Sequence, residues 1–335
     1  MSRRTNRKDG TAVTTDKLET AAAPEVLLHD IPPGLVRTVT RSPAKARLYG
    51  VDNYFRESSR LFGDDLDDVL RTTLCVLKPE AAAGRRYRPA LDALRDNGFR
   101  PVDAVRFRHH RLTVRETWRF QLNFASRERI DAMDLVLGTS DSVMLVLRDE
   151  RWTPGDVPAA VRLTALKGPS DPAQRRPEHL RSRLGAVNGL FNFTHTSDEP
   201  IDVMREIAIV CDEERRRLLH ARVRAGHDAV PEALAAFAEL EAETPAHDLD
   251  LENSWRRLAA AEGPAGEPAR LRAAGREVSV RQIAAALRAG ADGPAQHWDL
   301  LSVLTHSLRF NEPGIGRIFP NVLLESWQNA PAVPA

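Results

Sequence analysis

The chain has 335 residues, which is enough for about two domains or for one domain with large additions. Its 48 basic and 47 acidic side chains leave a net charge of +1. The composition therefore does not require nucleic acid or a membrane surface as a partner. There are two cysteines, Cys75 and Cys211, and no apolar run approaches the about 20 residues that span a bilayer. We therefore expect a cytoplasmic protein in a reducing compartment, without nucleic acid or membrane as partner.

The first 70 residues show two kinds of composition. Residues 1–24 are basic and are not followed by an apolar signal core, so we expect a disordered tail. Residues 25–70 mix prolines with short apolar runs and have no long period. We interpret them as an N-terminal extension that packs against another part of the chain.

Residues 71–212 alternate between strand-like and helix-like patterns. Strands are predicted over 72–78, 99–110, 141–150 and 190–195, and helices over 85–97, 113–123, 127–138, 154–168 and after Asp198. A long loop, residues 169–189, precedes the fourth strand. Without its extra helix, this order is the split βαβ, ferredoxin-like arrangement, an antiparallel sheet with helices on one face. The sequence thus predicts an α+β fold in this segment.

Residues 213–335 change in character to alanine- and leucine-rich helical segments, separated by Gly, Pro and Asp. They show no repeat of fixed period. We expect an α-helical C-terminal domain, joined to the central one through a charged stretch, residues 211–226, that continues the preceding helix.

A histidine stands among small hydroxyl residues in the stretch "NFTHTSDEP". Ser197 and Asp198 are good N-cap residues, and Pro200 suits a first helical turn. His195 is therefore expected at the end of a strand, just before a helix N-terminus, where backbone N–H groups favour anions such as phosphate. Taken by itself, a histidine in such a place is more often an ordinary structural residue than a functional one.

Three further polar residues have both functional and ordinary interpretations. Glu206 shares the inward face of the helix after Asp198, and either His195 or an arginine such as Arg181 could meet its carboxylate. Lys78 ends the first strand and could place charge in a phosphate site or remain solvated. Arg181 lies in an arginine-rich loop, which can be functional or merely exposed.

Several separate motifs nevertheless occur in one order. They are Lys78-Pro79-Glu80, "GPSDP" at residues 168–172, Arg181, "NFTHTSD" and Glu206. Together they resemble the nucleoside diphosphate kinase family, whose hallmarks are K-P-D, G-x-T-[ND]-P and N-x-x-H-G-S-D. The resemblance covers about residues 71–212, under half of the chain.

The resemblance implies a role for each matching position. His195 would be the nucleophile that carries the phosphoryl group, and Glu206 would orient its ring. Lys78, Arg181 and Ser170 would hold the donor phosphates, Asn192 would meet the sugar, and Ser197 would lie beside the histidine. Loop 169–189 would grip the nucleotide. The only cofactor implied is Mg²⁺, bound through the nucleotide phosphates and not by a protein metal site.

The sequence departs from the family pattern beside the histidine. Glu80 replaces the aspartate of the K-P-D motif, Thr196 replaces a glycine and is expected to crowd the ring, and Trp118 stands for a tyrosine. We keep Trp118 as a nucleotide-binding candidate.

Other departures concern the nucleotide. The second phosphate-binding arginine of the family falls on Thr164, so we take Arg162 as the candidate in its place, although two residues on a helix differ by about 200°. Phe120 and Phe124 could each cover the nucleobase, and we favour Phe124.

The resulting hypothesis is a phosphotransferase that moves the γ-phosphate of a nucleoside triphosphate (ATP or GTP) through a phosphohistidine at His195 to a nucleoside diphosphate. One alternative is the same chemistry on a specialised acceptor. Another is a nucleotide-binding regulatory or scaffold protein without turnover. The resemblance also allows a homo-oligomer, unless the added segments block its contacts.

Overall fold

The computed structural model describes residues 31, 33–62, 65–290 and 293–328. The expected disordered tail, residues 1–24, lies outside this part of the chain. The four strands are β1 (Thr72–Leu77), β2 (Phe99–Phe107), β3 (Ser142–Asp149) and β4 (Thr194–Thr196). The helices before β4 are α1 (Pro33–Val39), α2 (Pro43–Tyr49), α3 (Asn53–Phe62), α4 (Leu66–Leu70), α5 (Pro79–Ala83), α6 (Tyr87–Asp96), α7 (Arg111–Thr117), α8 (Arg127–Leu137), α9 (Ala159–Lys167) and α10 (Leu180–Arg183). The helices after it are α11 (Pro200–Val210), α12 (Glu213–Ala225), α13 (Val230–Glu243), α14 (Leu251–Ala259), α15 (Glu267–Ala273), α16 (Val280–Ala289), α17 (Pro294–His306) and α18 (Leu324–Gln328).

The four strands form one antiparallel sheet in the order β2-β3-β1-β4. In its register, Val76 of the central strand β1 lies opposite Met144 of β3 on one side and His195 of β4 on the other. This order and the antiparallel pairing are those of the split βαβ, ferredoxin-like arrangement. The predicted α+β class is therefore confirmed, and β4 is shorter than expected.

Both faces of the sheet are covered by helices. Side chains alternate along a strand, so Cys75 and Leu77 pack with α6 and α9 on one face, while Leu74 and Val76 pack with α11 on the other. The expectation of helices on one face was wrong, because α11 and the N-terminal helices bury the second face. This explains why β1 is apolar at nearly every position and not at alternate ones.

The N-terminal extension packs on α11, as its lack of an independent pattern predicted. The link is polar as well as apolar. The Nζ of Lys45 lies 2.6 Å from Oδ2 of Asp202 and 3.1 Å from Oε2 of Glu199, and the Tyr49 hydroxyl donates to Asp202. Lys45 is only 1% exposed. The first turn of α11 is therefore fixed from outside by a buried cation.

The predicted continuous helix over residues 211–226 was wrong. Helix α11 ends at Val210, Cys211 is extended, and Asp212 caps α12 by accepting from the N–H of Arg215. An Asp in the extended conformation at this point is a good N-cap, which favours a new helix over continuation. Helix α12 then ends at Gly226, whose left-handed φ of 60° suits glycine.

The C-terminal helices α13 to α17 pack around buried apolar residues such as Phe237 and Trp298, in a cluster that also includes Leu91 of α6. The division into domains at 71–212 and 213–335 stays a prediction. None of the helices within the described residues combines the length and apolarity needed to cross a membrane.

Candidate active site

His195 lies on the short edge strand β4, within reach of the first helix that follows it. Its Nε2 is 3.0 Å from Oε2 of Glu206 on α11, and the same oxygen accepts a hydrogen bond of 2.8 Å from the Ser197 hydroxyl. Helix α11 starts with Pro200 after Glu199, so the cap lies one to two residues later than expected. Glu206 is 7% exposed, and its partner is the histidine, not an arginine.

The contact with Glu206 leaves one nitrogen of the imidazole for chemistry. Among the described residues, no hydrogen bond is made to Nδ1 of His195. A carboxylate on one ring nitrogen fixes the tautomer and directs the lone pair of the other nitrogen outward. The side chain of His195 is 17% exposed, so the imidazole is not closed off from solvent.

Trp118 packs against the histidine from the end of α7. Its ring meets that of His195 edge to face, with centroids 5.0 Å apart. Trp118 therefore lies next to His195, as predicted. Thr196, by contrast, turns away from the ring and toward α9, where its Oγ1 lies 3.0 Å from Oγ1 of Thr164. Consecutive side chains on a strand point to opposite faces, so the expected crowding by Thr196 was wrong.

Lys78 is a buried cation at the end of β1. Its Nζ lies 2.7 Å from Oε1 of Glu80 and donates to the carbonyl of Leu190 at 2.6 Å. Burial lowers the pKa of Lys78, although Glu80 opposes this effect. Glu80 also accepts from the N–H of Phe193, a residue held at the left-handed φ of 65°. Glu80 therefore occupies a structural position, fixing both the lysine and the strained backbone two residues before His195.

Arg181 lies on the other side of β4, in the short helix α10. Its guanidinium donates to the carbonyls of Gly168 at 2.8 Å and Thr194 at 2.9 Å, while its buried Nε has no partner among the described residues. Burial lowers the pKa of Arg181 to about 10, so the group remains cationic at neutral pH. Lys78 and Arg181 thus bring two positive charges to the strand that carries the histidine.

The two other predicted nucleotide-binding residues of this region, Asn192 and Ser170, differ in burial. Asn192 is buried, and its amide donates to the carbonyl of Gly189 at 2.6 Å, whereas its Oδ1 has no partner among the described residues. Ser170 is exposed, and only its carbonyl is used, as an acceptor from Arg175. Loop 169–189 is partly helical, and Arg175 ties its two ends together through the carbonyls of Ser170 and Asn188.

Arg162 does not join this group. Its guanidinium binds Asp149 and the carbonyl of Asn97, and it lies 4.1 Å over the ring of Phe99. Thr164 is the residue of α9 that faces β4, so Arg162, two positions earlier, points roughly 200° away. The prediction that Arg162 binds nucleotide is therefore corrected.

Phe124 ends the short turn between α7 and α8, and the chain's own C-terminal part lies on it. The Arg317 guanidinium is 5.1 Å from the centre of the Phe124 ring. The carbonyl of Phe124 accepts a hydrogen bond from the N–H of Glu312 at 2.8 Å. Phe124 is 8% exposed. This cover could not be predicted, since residues 308–328 have no periodic pattern.

Two residues that sequence reasoning missed adjoin the candidate site. Lys167 ends α9, with its Nζ 3.3 Å from Oδ1 of Asp198 and 3.4 Å from the carbonyl of Thr196. His109 is 3% exposed and packs against Trp118, and burial lowers its pKa to about 3, so it is neutral. Lys167 directly precedes the "GPSDP" motif, and this position could have identified it as a candidate residue of the site.

Three cationic side chains lie at or beside the candidate site. Among the described residues, no cluster of three or more His, Cys, Asp and Glu side chains could hold a metal ion. Lys78, Lys167 and Arg181 are instead suited to anionic oxygen atoms.

Comparisons with known proteins give one kind of match. No family description matches the sequence, and no curated protein matches it either. Among solved structures, a nucleoside diphosphate kinase of Aquifex aeolicus is 21% identical, with a TM-score of 0.36, over 43% of this chain and 97% of that one. A nucleoside diphosphate kinase of Borrelia burgdorferi with bound vanadate and ADP is 17% identical, with a TM-score of 0.36, over 43% and 88%.

A third solved structure, the apo nucleoside diphosphate kinase of Encephalitozoon cuniculi, is 17% identical with a TM-score of 0.36, over 42% of this chain and 87% of that one. These structures are of the kind that the sequence motifs resemble. The similarity concerns the fold of less than half of the chain.

Proposed function

We propose that the chain is a phosphotransferase of the nucleoside diphosphate kinase kind, with His195 as its nucleophile. The observation that carries the proposal is the 3.0 Å contact between Nε2 of His195 and Glu206, with Ser197 on the same carboxylate. It is supported by two buried cations, Lys78 and Arg181, bonded to backbone within or next to β4. A merely structural histidine needs no such cationic surroundings.

In the proposed reaction, Nδ1 of His195 attacks the γ-phosphorus of a nucleoside triphosphate. A phosphorus–nitrogen bond forms, the bond to the β-phosphate oxygen breaks, and the nucleoside diphosphate leaves with that oxygen. A second nucleoside diphosphate then takes the phosphoryl group by the reverse step. Glu206 stabilises the positive charge on the ring, and Lys78 and Arg181 neutralise the phosphates. Mg²⁺ would enter on the nucleotide, because the described residues of the site offer cations for the phosphates and no cluster of three metal ligands.

The test is incubation of the full-length protein with γ-labelled ATP and Mg²⁺. We expect label on the protein that is lost in acid and kept in base, as a phosphohistidine requires. A protein that binds ADP but never acquires label would be a nucleotide-binding scaffold, and the proposed chemistry would be wrong.

The acceptor decides between two versions of this function. Trp118 in place of a tyrosine and the covered ring of Phe124 favour a specialised acceptor as the second candidate. Exchange between a nucleoside triphosphate and a common nucleoside diphosphate separates them. Rapid exchange by the unmodified protein would exclude the specialised acceptor, whereas label that such diphosphates fail to discharge would exclude the standard one.

Glu206→Gln is expected to slow the labelling of His195 by about 10- to 100-fold, as for other residues that orient a reactive group. The amide keeps the shape of the side chain but loses the charge that stabilises the imidazolium. Single-turnover labelling measures the rate, and titration with ADP should give unchanged affinity.

Glu232→Gln is the matched control for Glu206, because Glu232 makes a similar 2.8 Å contact with His227 on a partly exposed surface. It should label at the normal rate. If Glu206→Gln unfolds more easily but labels normally per folded molecule, Glu206 is structural.

A further inference from the structure

The C-terminal strap, residues 308–328, runs from a bridge with Ala125 to α18 and contacts residues that adjoin the candidate site: Phe124, Gly189 and Glu199. It begins as an added strand residue, since Asn311 forms an antiparallel bridge with Ala125. Two backbone hydrogen bonds flank that bridge, from Ser126 to the carbonyl of Phe310 at 3.1 Å and from Glu312 to the carbonyl of Phe124 at 2.8 Å. The strap is therefore held in register at this end by the backbone.

The first part of the strap covers the place where a nucleobase is expected. The ring of Phe310 lies against the backbone of Gly189, where an added Cβ atom would come within 2.6 Å of it. Gly189 in turn accepts from Asn192, the proposed sugar-binding residue. Arg317 lies over the outer side of Phe124. Phe310 and Arg317 together occupy the surroundings of the proposed base and sugar positions.

The second part of the strap packs near the start of α11. Phe319 packs on Tyr49 and Phe120, with centroids 5.6 and 5.1 Å apart. The indole N–H of Trp327 donates to Glu199 at 3.3 Å, and α18 contacts α9. The strap thus connects the surroundings of Phe124 with the residue that precedes α11, Glu199.

The strap is attached less firmly than the body that it crosses. Phe319 and Trp327 are its buried apolar side chains, whereas Ile315, Ile318 and Leu323 are 52%, 42% and 60% exposed. Residues 308–323 form no helix and only the single bridge. A segment with so little buried apolar area opens at a small cost in free energy.

We propose that the C-terminal strap is an autoinhibitory cover that occupies the nucleobase position on Phe124 and Gly189, and that a nucleotide binds fully only when the strap lifts. This inference rests on the proposed function of the site. It concerns the base end of the nucleotide, because Lys78 and Arg181 are bonded to backbone in and around β4 and not to the strap. Apparent nucleotide affinity is then reduced by the fraction of molecules that are open.

A reversible crosslink tests the cover directly. In an antiparallel bridge flanked by such hydrogen bonds, the Cα atoms lie about 4.5 Å apart, within the range that a disulfide spans. The pair Ala125→Cys with Asn311→Cys should therefore close the strap when oxidised and free it when reduced. The chain's two native cysteines, Cys75 and Cys211, are buried and do not interfere.

We expect oxidation to weaken the binding of ADP with Mg²⁺ by at least about tenfold and to slow labelling by γ-labelled ATP, both recovered on reduction. Phe310→Ala should do the opposite and tighten ADP binding by about tenfold. Inorganic tripolyphosphate has no nucleobase, so its binding affinity should change by less than about twofold on oxidation of the crosslink and in Phe310→Ala. Ile315→Ala, on an exposed side chain of the same segment, is the control and should behave as the unmodified protein.

The outcomes separate the cover from the proposed reaction. If the protein labels and binds ADP equally in the oxidised, reduced and Phe310→Ala forms, the cover is wrong and the reaction stands. If ADP binding follows the crosslink but no form labels, the cover is supported and the phosphoryl transfer is wrong. If no form, Phe310→Ala included, binds ADP or acquires label, the proposed function fails and the cover fails with it.

Discussion

His195→Ala should abolish the phosphoenzyme, with labelling by γ-labelled ATP reduced at least about 10³-fold, because removal of a nucleophile leaves only binding. The imidazole of His195 is held by Glu206 through one nitrogen and is partly exposed, whereas the neighbouring imidazole of His109 is buried. Nucleotide binding is expected to survive, since Lys78 and Arg181 are anchored to the backbone without help from the imidazole. Acid-labile label per folded protein is the measurement.

His227→Ala is the control for this experiment. His227 also meets a glutamate through Nε2, at 2.8 Å from Glu232, but the pair is about 40% exposed and lies outside the candidate site. Its loss should leave the label unchanged. Equal labelling of His195→Ala and the unmodified protein would show that His195 is not the nucleophile.

Lys45→Met should lower the free energy of unfolding by about 3–5 kcal/mol, the usual cost of removing one partner from a buried ion pair. The change leaves the carboxylates of Asp202 and Glu199 buried without their cation, at the first turn of the helix that carries Glu206. Urea unfolding at neutral pH measures the loss. Arg88→Met is the control, because the ion pair between Arg88 and Asp92 is well exposed. Its loss should lower the free energy of unfolding by less than about 1 kcal/mol.

The same ion pair sets a dependence on pH. Burial alone would lower the pKa of Lys45, but the carboxylates of Asp202 and Glu199 outweigh it and raise the pKa above its ordinary 10.5. Its contribution to stability is therefore fully present below pH 10.5 and is lost as the pH rises beyond that value. Lys45→Met should show a smaller loss of stability over this alkaline range. An identical loss in both proteins would show that Lys45 contributes nothing there.

Local patterns were sufficient for most elements of the sheet and its helices. The apolar run before Pro79 predicted β1, and the spacing from Val203 predicted α11, because period and caps are local properties. Local patterns failed where a break depended on one residue. The step from α11 to α12 at Cys211 and Asp212 looks, by charge and periodicity, like a continuous helix.

The candidate site was predictable in type but not in pairing. The motifs around Lys78, Arg181 and His195 indicated which residues to consider. Whether Glu206 meets His195 or an arginine was open from spacing, and the structure decided it at 3.0 Å. Arg162 was misplaced for the same reason, since the rotation of α9 about its axis is fixed by packing against the sheet and not by sequence count.

By itself, the sequence determined the α+β class, the order of the strands along the chain and the candidate residues for phosphate binding. These follow from periodicity, turn residues and side-chain chemistry within a few positions of one another. Tertiary structure alone decided that Lys45 reaches Asp202, 157 residues away, and that residues 308–328 lie over Phe124. Such contacts depend on burial and on complementary shape between distant segments, which no local pattern records.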